Sequence, residues 1–427
     1  MANTAESRYN GAMAQEEKYH HRKLDCGVEL AALDMPGRRT ASYEIRVLCG
    51  LADEPDRQAG LAGVVEEVID KGTEAKSARE ISDAFDAIGA QVGSQVGRES
   101  MVFRCMCLPE YLEQALALHA EMLRTATFPE DFCKVAIDLG QQELTALEDD
   151  PGELSRKLLA PHAYGPILGR HELGTRESLA SISRNDVVNY WKQWFAAGRI
   201  QLSIGGAIDV DRLARCIERL FTGFGAPAWE GRKARKMEFS PGFRHQPKEL
   251  EQEHILMCWP GAAITDDVYP VEHLTLEILS GGMSSRLFTE VREKQGLVYW
   301  VGAWDEHPRS AGMNFMGAST TPARCETTFQ TLLREVDRLA EDVSEDELVR
   351  AKTGVIAKTQ THGDITRARV GELSSDLFHF GRPVPIEEKN RKIEAVRIAD
   401  VKRYLAEHPR DRLCVLTLGP KELKVGN

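Results

Sequence analysis

The chain has 427 residues and a formal net charge of −12, with 42% hydrophobic and 28% charged residues. This length exceeds what one hydrophobic core usually serves, so we expect at least two domains. The negative charge argues against a nucleic-acid partner, because phosphate binding requires a basic surface. The absence of any run of about 20 apolar residues predicts that the chain does not span a membrane and has no membrane partner.

The N-terminal and cysteine patterns predict a cytoplasmic protein. Residues 1–24 lack both the apolar core of a signal peptide and the Arg-rich, acid-poor composition of a mitochondrial transit peptide. The nine cysteines are odd in number and stand mostly in apolar runs. Buried free thiols in a reducing compartment explain this pattern better than disulfides do.

Each half of the chain has a strand followed by a turn-rich connection and a helix. Residues 42–50 alternate apolar and polar side chains, which indicates a half-buried strand, and residues 253–261 form the corresponding strand of the second half. The predicted helices are 61–69 and 271–279. Later landmarks recur 214 or 215 residues apart, which is too long for a solenoid and predicts two homologous domains in tandem.

The boundary between the domains is predicted between residues 226 and 249, which hold three prolines and a basic run without apolar periodicity. We therefore expect an N-terminal domain over residues 1–230 and a C-terminal domain over residues 245–427. Strands and helices alternate without a regular βαβ rhythm. The predicted fold class is α+β, with helices packed on a largely antiparallel sheet in each domain.

The predicted helix near residue 60 carries the first candidate site. Its apolar side chains recur at helical spacing on one face, and Gly63, Glu66, Glu67 and Asp70 share the other face. A helix face of this kind can aim two ligands and a carboxylate at one metal ion.

Residues 60–73, GLAGVVEEVIDKGT, resemble the signature G-L-A-H-x-x-E-H-x-x-x-K-G-T of insulinase-like and mitochondrial-processing-peptidase-like zinc peptidases, the inverzincins. Gly63 and Glu67 stand at the two histidine positions, and Glu66 at that of the catalytic glutamate. The resemblance, which covers nearly the whole chain, implies that Glu143 stands at the third ligand position. The chain is thus identified as a family member that lacks the zinc-binding motif.

The changed residues predict that this chain binds no metal and needs no cofactor of its own. Glycine offers no ligand, and the remaining Glu66, Glu67 and Glu143 would suit magnesium, calcium or manganese better than zinc. The interpretation we favour is a solvated face on which Glu67 pairs with Lys71, four residues further on. Without an ion, Glu66 has no activated water from which to take a proton.

The second candidate site lies in residues 280–300, SGGMSSRLFTEVREKQGLVYW. Ser284 or Ser285 is predicted to cap a helix that runs to about Lys294 and that Gly296 ends. A strand is predicted to follow.

This segment closely resembles the family pattern M-S-S-R-L-F-x-x-V-R-E-K-x-G-L-x-Y. The resemblance implies that Arg292 and Tyr299, seven residues apart, hold the substrate backbone and polarise the scissile carbonyl. Arg286 is interpreted as a structural or interface residue. His273 and Glu277 lie four residues apart on a predicted helix, but we expect no metal there because no third ligand is near.

Family members close a clamshell chamber from two two-domain halves, one with zinc and the other with the arginine–tyrosine pair. The resemblance implies that this chain is a non-catalytic subunit, inactive alone, of a heterodimeric zinc peptidase. It would supply Arg292 and Tyr299 to the zinc site of a homologous partner with an intact H-x-x-E-H motif, and a peptide substrate would be enclosed in an acidic chamber. Zinc is expected only in the partner subunit.

Three alternatives stay open at this point. The chain is an inert structural scaffold of the same fold, a peptide-binding homodimer, or a self-sufficient homodimeric hydrolase with a carboxylate-bound metal. The intact pair of Arg292 and Tyr299 argues against the scaffold. The long glycine-rich loop of the mitochondrial alpha subunit is missing, which argues against a role with mitochondrial presequences.

Overall fold

A computed structural model of the chain describes residues 17–225, 234–309, 311–408, 410 and 412–423. The strands are β1 (Lys18–Lys23), β2 (Glu29–Asp34), β3 (Ala41–Val47), β4 (Gln91–Val96), β5 (Met101–Cys107), β6 (Ile200–Gly206), β7 (Gly242–Pro247), β8 (Glu253–Gly261), β9 (Val298–Glu306), β10 (Gly312–Thr320) and β11 (Cys414–Gly419). Short 3-10 turns occur at Leu51–Asp53, Pro109–Tyr111, Ala197–Arg199 and Pro322–Arg324.

The helices are α1 (Leu61–Val68), α2 (Ala78–Asp86), α3 (Leu112–Thr125), α4 (Glu130–Glu148), α5 (Pro151–Leu168), α6 (Arg176–Ser181), α7 (Arg184–Trp194), α8 (Val210–Phe221), α9 (Tyr269–Ser280), α10 (Cys325–Asp342), α11 (Glu345–Gly363), α12 (Thr366–Phe380), α13 (Ile386–Ala395) and α14 (Ile398–Glu407), with a π-helix at Leu287–Lys294. In the described part of the chain, no helix is long and apolar enough to cross a bilayer.

The strands form two sheets with the same order. The first is β1-β2-β6-β3-β5-β4 and the second is β7-β11-β8-β10-β9. The pairs β2–β6 and β7–β11 are parallel, and the remaining pairs are antiparallel. Among the described strands, β1 has no counterpart in the second sheet. The shared order confirms the predicted tandem repeat and the largely antiparallel α+β fold.

Each sheet buries one face under helices of its own half. Tyr43 and Ile45 of β3 are fully buried in the first core, and Ile255 and Met257 of β8 take the same place in the second. Burial of these apolar side chains is the main force that holds helices to sheet.

The other face of each sheet is covered by a helix from the opposite half. Leu373 and Leu377 of α12 pack against Leu33 of β2, while Leu159 and Tyr164 of α5 lie in a cluster with β8, β10 and β11. The two helices begin 215 residues apart, so they are equivalent elements of the repeat and are exchanged between the domains.

This exchange corrects the expectation that the first predicted strand is half-buried. Ser42 and Glu44 stand on the face of β3 that alternation assigned to solvent, yet they are only 1% and 5% exposed. The Ser42 hydroxyl donates to the carbonyl of Cys105 at 2.7 Å, and Glu44 accepts from the Arg104 guanidinium at 2.8 Å. Helix α12 covers this face, so its polar groups are paired inside the protein.

The predicted elements occur with small shifts at their ends. The strand predicted over residues 42–50 ends at Val47, and the helix predicted over 61–69 ends at Val68. Strand β7 lies across the predicted domain boundary at residue 245, so the second sheet begins at Gly242; residues 226–233 of the predicted seam lie outside the described part. All nine cysteines are buried free thiols, as the sequence predicted.

Candidate functional site

A buried carboxylate fixes the start of α1, the helix with the broken metal motif. Glu54 Oε1 accepts hydrogen bonds from the backbone N–H groups of Gly60 at 3.0 Å and Ala62 at 2.9 Å. Gly60 has φ 97°, a conformation that favours glycine. Burial raises the pKa of Glu54 to about 8, against the opposing effect of these N–H groups and of Arg170.

The structure brings the four predicted motif positions together around one cavity of about 310 Å³. Gly63, Glu66 and Glu67 reach it from α1, and Glu143 reaches it from α4. Glu172, in the turn after α5, joins them and was not predicted from the sequence. The signal that points to it is a glycine inside a helix, which often marks a close approach of another backbone.

Two carboxyl groups beside this cavity, those of Glu66 and Glu172, have a raised pKa. Burial raises the pKa of Glu66; a hydrogen bond with Ser94 lowers it, and the charge of Glu67 raises it further. Burial likewise raises the pKa of Glu172, with the charge of Glu143 adding to the effect. The site is therefore acidic, and the protein does not fully offset its charge.

Position 63 has no room for a metal ligand. A Cβ built on Gly63 would lie 2.8 Å from the carbonyl oxygen of Glu172. The turn that carries Glu172 is anchored by Arg170, which donates to the carbonyl of Glu54 at 2.6 Å and to Asp56 at 2.9 Å. Within the described residues, no group of three or more His, Cys, Asp or Glu side chains is placed to hold a metal ion. The residues present do not fit zinc.

The predicted pair on the outer side of α1 is present. The Lys71 ammonium lies 3.5 Å from Glu67 and 2.9 Å from Asp70. Glu67 is exposed, so this pair contributes roughly 0.3–0.5 kcal/mol at most.

Strand β4 forms one wall of the same cavity through Ser94, Gln95 and Val96. It is the edge strand of the first sheet, and five of its six residues are exposed. Its outer backbone groups have no strand partner among the described residues. An extended peptide can pair with such an edge by main-chain hydrogen bonds.

The segment of the second candidate site folds differently from the prediction. Residues Leu287–Lys294 form a π-helix, and neither Ser284 nor Ser285 caps it through its side chain; Arg286 stands at the cap position instead. Gly296, with φ 58°, follows its end, as predicted. Such π-helical turns are rare and occur frequently at functional sites.

Arg286 is structural, as the sequence indicated. It is 8% exposed and donates to Glu347 at 2.6 and 2.9 Å and to Asp342 at 2.6 Å. These bonds join the start of the π-helix to the end of α10 and the start of α11, so they hold the segment in place.

Arg292 and Tyr299 lie together on the surface, at the start of edge strand β9. The guanidinium carbon of Arg292 is 5.1 Å from the centre of the Tyr299 ring and 4.8 Å from that of Phe288. Tyr299 is 77% exposed. The guanidinium thus lies within cation–π distance of two aromatic rings.

His273 of the predicted pair with Glu277 contacts Asp305. Its Nδ1 lies 3.4 Å from Asp305, whose carboxylate also bonds to His307 at 2.6 Å and accepts from Tyr269 at 3.2 Å. These contacts form a packed polar cluster around Asp305.

Two models of one peptidase family match the chain. Insulinase (Peptidase family M16) matches residues 30–176, and Peptidase M16 inactive domain matches residues 181–355, the part that contains Arg292 and Tyr299.

Relatives and solved structures agree with these matches. An "Uncharacterized zinc protease" of Rickettsia felis is 26% identical over 90% of this chain and 94% of that protein, and one of Bacillus subtilis is 27% identical over 88% and 92%. The crystal structure of a peptidase M16 inactive domain from Pseudomonas fluorescens has a TM-score of 0.85 at 20% identity, covering 96% of this chain and 99% of that one. A protease from Helicobacter pylori has a TM-score of 0.86 at 14% identity, covering 94% and 100%.

Proposed function

We propose, from the premise that this chain belongs to the insulinase-like M16 peptidase family, that it is the non-catalytic subunit of a heterodimeric zinc peptidase. Its partner would be a homologous chain with an intact H-x-x-E-H motif, which carries the zinc. The two chains together would enclose a peptide, and this chain would supply Arg292 and Tyr299 to the partner's active site.

The observation that carries the proposal is the pairing of Arg292 with the exposed Tyr299. The guanidinium rests against two aromatic rings, so its orientation is restricted before any ligand arrives. The Tyr299 hydroxyl adds a second donor beside it. Donors held in place in this way lower the barrier when negative charge develops on a carbonyl oxygen. In the described part of the first half, the residues at the metal-motif positions do not fit a zinc ion.

The first half supports a division of labour between subunits. Gly63 brings no ligand, and the Glu172 carbonyl stands where a side chain at this position would begin. Glu66 keeps the position of the family's general base, but its carboxylate has no metal-bound water to deprotonate. Zinc chemistry must therefore come from another chain if the pair is to serve catalysis.

The cavity beside α1 supports a peptide as the enclosed ligand. Edge strand β4 offers main-chain groups to an extended backbone, and Glu66, Glu67, Glu143 and Glu172 give the adjoining wall a negative charge. A peptide with basic side chains would complement this wall.

The direct test is reconstitution. This chain purified alone should cleave no peptide in the presence of zinc, and addition of a homologous chain with H-x-x-E-H from the same organism should produce cleavage. In that complex, Arg292→Ala should lower kcat about 100-fold, because one charge-stabilising donor is lost. Tyr299→Phe, which removes only the hydroxyl, should also lower kcat.

Lys294→Ala provides the matched control for Arg292→Ala. Lys294 is an exposed cation on the same π-helix and pairs with Glu290 at 2.7 Å, so its loss should leave kcat unchanged. Zinc-dependent cleavage by this chain alone would overturn the proposal in favour of a self-sufficient hydrolase. An unchanged kcat for Arg292→Ala would favour a scaffold, and peptide binding by a homodimer without cleavage would favour a peptide-binding protein.

A further inference from the structure

Trp300 directly follows Tyr299 on edge strand β9, and its side chain is accessible, because the residue is 43% exposed. The pairing with β10 is irregular at this point. Ser319 lies opposite Trp300, whereas the next residue, Thr320, lies opposite Val298. Tyr299 is therefore the extra residue of a β-bulge, a feature that often redirects side chains beside active sites.

The bulge directs Trp300 to the face of the sheet that lies away from the core of the second half. Val298 and Val301 pack in that core, whereas Trp304 packs with the cluster that contains α5. Side chains alternate along a strand, so Trp300, Gly302 and Trp304 share this second face. The two side chains that follow one another at positions 299 and 300 thus point in different directions.

Two glycines form a flat floor under the indole. Gly302 of β9 and Gly317 of β10 lie opposite each other. A Cβ on Gly302 would lie 3.3 Å from Cζ2 of Trp300, and a Cβ on Gly317 would lie 3.2 Å from Cζ3. The ring therefore rests directly on the sheet, in space that larger residues would fill. The Trp304 ring, with its centre 6.3 Å away, supports it from one side.

The polar side chains around the indole already have partners. Ser319, directly opposite on β10, is 3.1 Å from Nδ1 of His254. Burial lowers the pKa of His254, so this histidine is uncharged at neutral pH. On the other side, the guanidinium carbon of Arg156 lies 4.8 Å from the centre of the Trp304 ring, and its Nε is 3.7 Å from Glu153.

This arrangement favours an aromatic ring over a cation as the group that stacks on Trp300. A lysine or arginine side chain can also lie over an indole. Here it would approach Arg156, which already lies over the neighbouring Trp304. A second aromatic ring gains from stacking and from burial of apolar surface and brings no like charge.

We propose that Trp300 determines substrate specificity by binding an aromatic side chain of the peptide. The proposal rests on the proposed function for the place at which the peptide is cut, next to Arg292 and Tyr299. The Cα atoms of Tyr299 and Trp300 are about 3.8 Å apart, and an extended peptide advances about 3.3 Å per residue. The aromatic residue would therefore lie within about three residues of the cleaved bond.

The binding step can be tested on this chain alone by 19F NMR of protein labelled with 6-fluorotryptophan. Trp300→Phe identifies the resonance of Trp300 by its loss. N-acetylphenylalaninamide should shift this resonance saturably, with a Kd of about 1–10 mM, which is reasonable for a ligand of this size on an open surface. N-acetylalaninamide and N-acetyllysinamide should shift it at least 5-fold less at the same concentration.

The effect on specificity is measured in the reconstituted complex. Peptides would carry Phe, Ala or Lys at each of the three positions on either side of the cleaved bond. At one position, kcat/KM should be about 10-fold higher with Phe than with Ala. Trp300→Ala should reduce this ratio to about 1 and change kcat/KM for the Ala peptide less than 2-fold.

Two further variants separate the platform from general effects. Gly302→Val keeps the indole but fills the space beneath it with a residue that suits a strand, so it should also lower the Phe/Ala ratio. Phe243→Ala is the matched control. Phe243 is 49% exposed on β7, at the opposite edge of the same sheet, and its ring contacts Phe329, so its loss should leave the ratio unchanged.

Each outcome decides the proposal. A shift by the phenylalanine probe together with a Phe/Ala ratio that depends on Trp300 supports it. Absence of a saturable shift overturns it, even in a complex that cleaves peptides, and a larger shift by the lysine probe overturns it in favour of a cation site. Weaker assembly of Trp300→Ala with an unchanged ratio also overturns it, because Trp300 would then contact the partner subunit. If reconstitution yields no peptidase, the proposed function fails, and the NMR titration alone decides whether Trp300 binds aromatic side chains.

Discussion

The two halves of the molecule share one sheet order, yet they differ in whether their buried charged side chains are paired with opposite charges. In the first half, Glu66 and Glu172 crowd a cavity where burial and like charge raise the pKa of both. In the second half, Arg286 is buried between Glu347 and Asp342 and is fully paired. The comparison teaches that both halves keep the same framework, whereas these two sites differ in whether their buried charges are paired with opposite charges.

Equivalent tyrosines of the two halves donate to different kinds of acceptor. Tyr190 and Tyr404 stand 214 residues apart, on α7 and α14. The Tyr190 hydroxyl donates to the backbone carbonyl of Gly50, just before the turn Leu51–Asp53, at 2.9 Å. Tyr404 donates instead to the side chain of Glu272 on α9, so the second half satisfies the equivalent hydroxyl with a carboxylate.

The largest expected effect concerns the buried arginine of the second half. Arg286→Ala would leave Glu347 without its cation and Asp342 with Arg338 alone, and we expect a loss of about 3 kcal/mol in the free energy of unfolding. Urea denaturation measures it. Arg403→Ala is the control, because Arg403 is exposed and pairs only with Asp400 at 2.8 Å on the described surface; it should cost less than 1 kcal/mol. Equal losses for the two variants would show that the buried ion pairs of Arg286 stabilise the fold no more than an exposed pair does.

A smaller expected effect is the pH dependence that Glu54 of the first half gives to the free energy of unfolding. Glu54 has a folded pKa of about 8 against 4.5 as its ordinary value, so the folded state retains a proton that the unfolded state has lost. The free energy of unfolding therefore falls as pH rises from 4.5 to 8. Glu54→Gln should match the native chain at pH 4.5 and exceed it by on the order of 2 kcal/mol at pH 8. Urea denaturation at a series of pH values measures the difference.

Glu347 provides the opposite case for the same experiment. Burial would raise its pKa, but the Arg286 hydrogen bonds and the Ser344 backbone N–H outweigh burial and lower it to about 2. The stability that this carboxylate contributes is therefore present above pH 4.5 and is lost as pH falls toward 2. Glu347→Gln should be most harmful near neutral pH. If the free energies of unfolding of the Glu54 and Glu347 variants changed with pH in the same direction, the contrast between these two carboxyl groups would be wrong.

The smallest expected effect compares two glycines inside helices. Gly63→Ala places a methyl group 2.8 Å from the Glu172 carbonyl oxygen, and this overlap outweighs the helix propensity of alanine, for a net loss of about 1 kcal/mol. Gly354 of α11 has no atom within 4 Å of a Cβ position, so Gly354→Ala should gain about 0.5–1 kcal/mol. Thermal unfolding measures whether each of the two substitutions lowers or raises the stability. A gain for Gly63→Ala would show that the turn at Glu172 yields easily.

Local patterns in the sequence predict much of the fold and part of the site. Apolar alternation locates β3 and β8, and helical spacing places Gly63 and Glu67 on one face, because these are short-range properties of the chain. The exchange of α5 and α12 is not predictable in this way, since it depends on contacts between distant segments. The same applies to Glu172, which reaches the cavity from a turn more than a hundred residues away from Gly63.

The π-helix shows a different limit. The pattern around Arg292 correctly predicts a helix ended by Gly296, but the spacing of apolar residues does not separate i+4 from i+5 hydrogen bonding over eight residues. The prediction of a serine cap rests only on the preference of serine for the position before a helix. Here the buried bonds of Arg286 decide where the helix begins.

The exchanged helices have a consequence for synthesis on the ribosome. When β6 is complete, the first sheet still lacks the helix that covers its second face, because α12 follows about 160 residues later. At cellular rates of elongation this interval lasts on the order of ten to thirty seconds. During that time Leu33 and its apolar neighbours are open to other chains. Nascent molecules therefore depend on chaperones or on rapid completion of the second half, and truncation before α12 should yield aggregates rather than an isolated first domain.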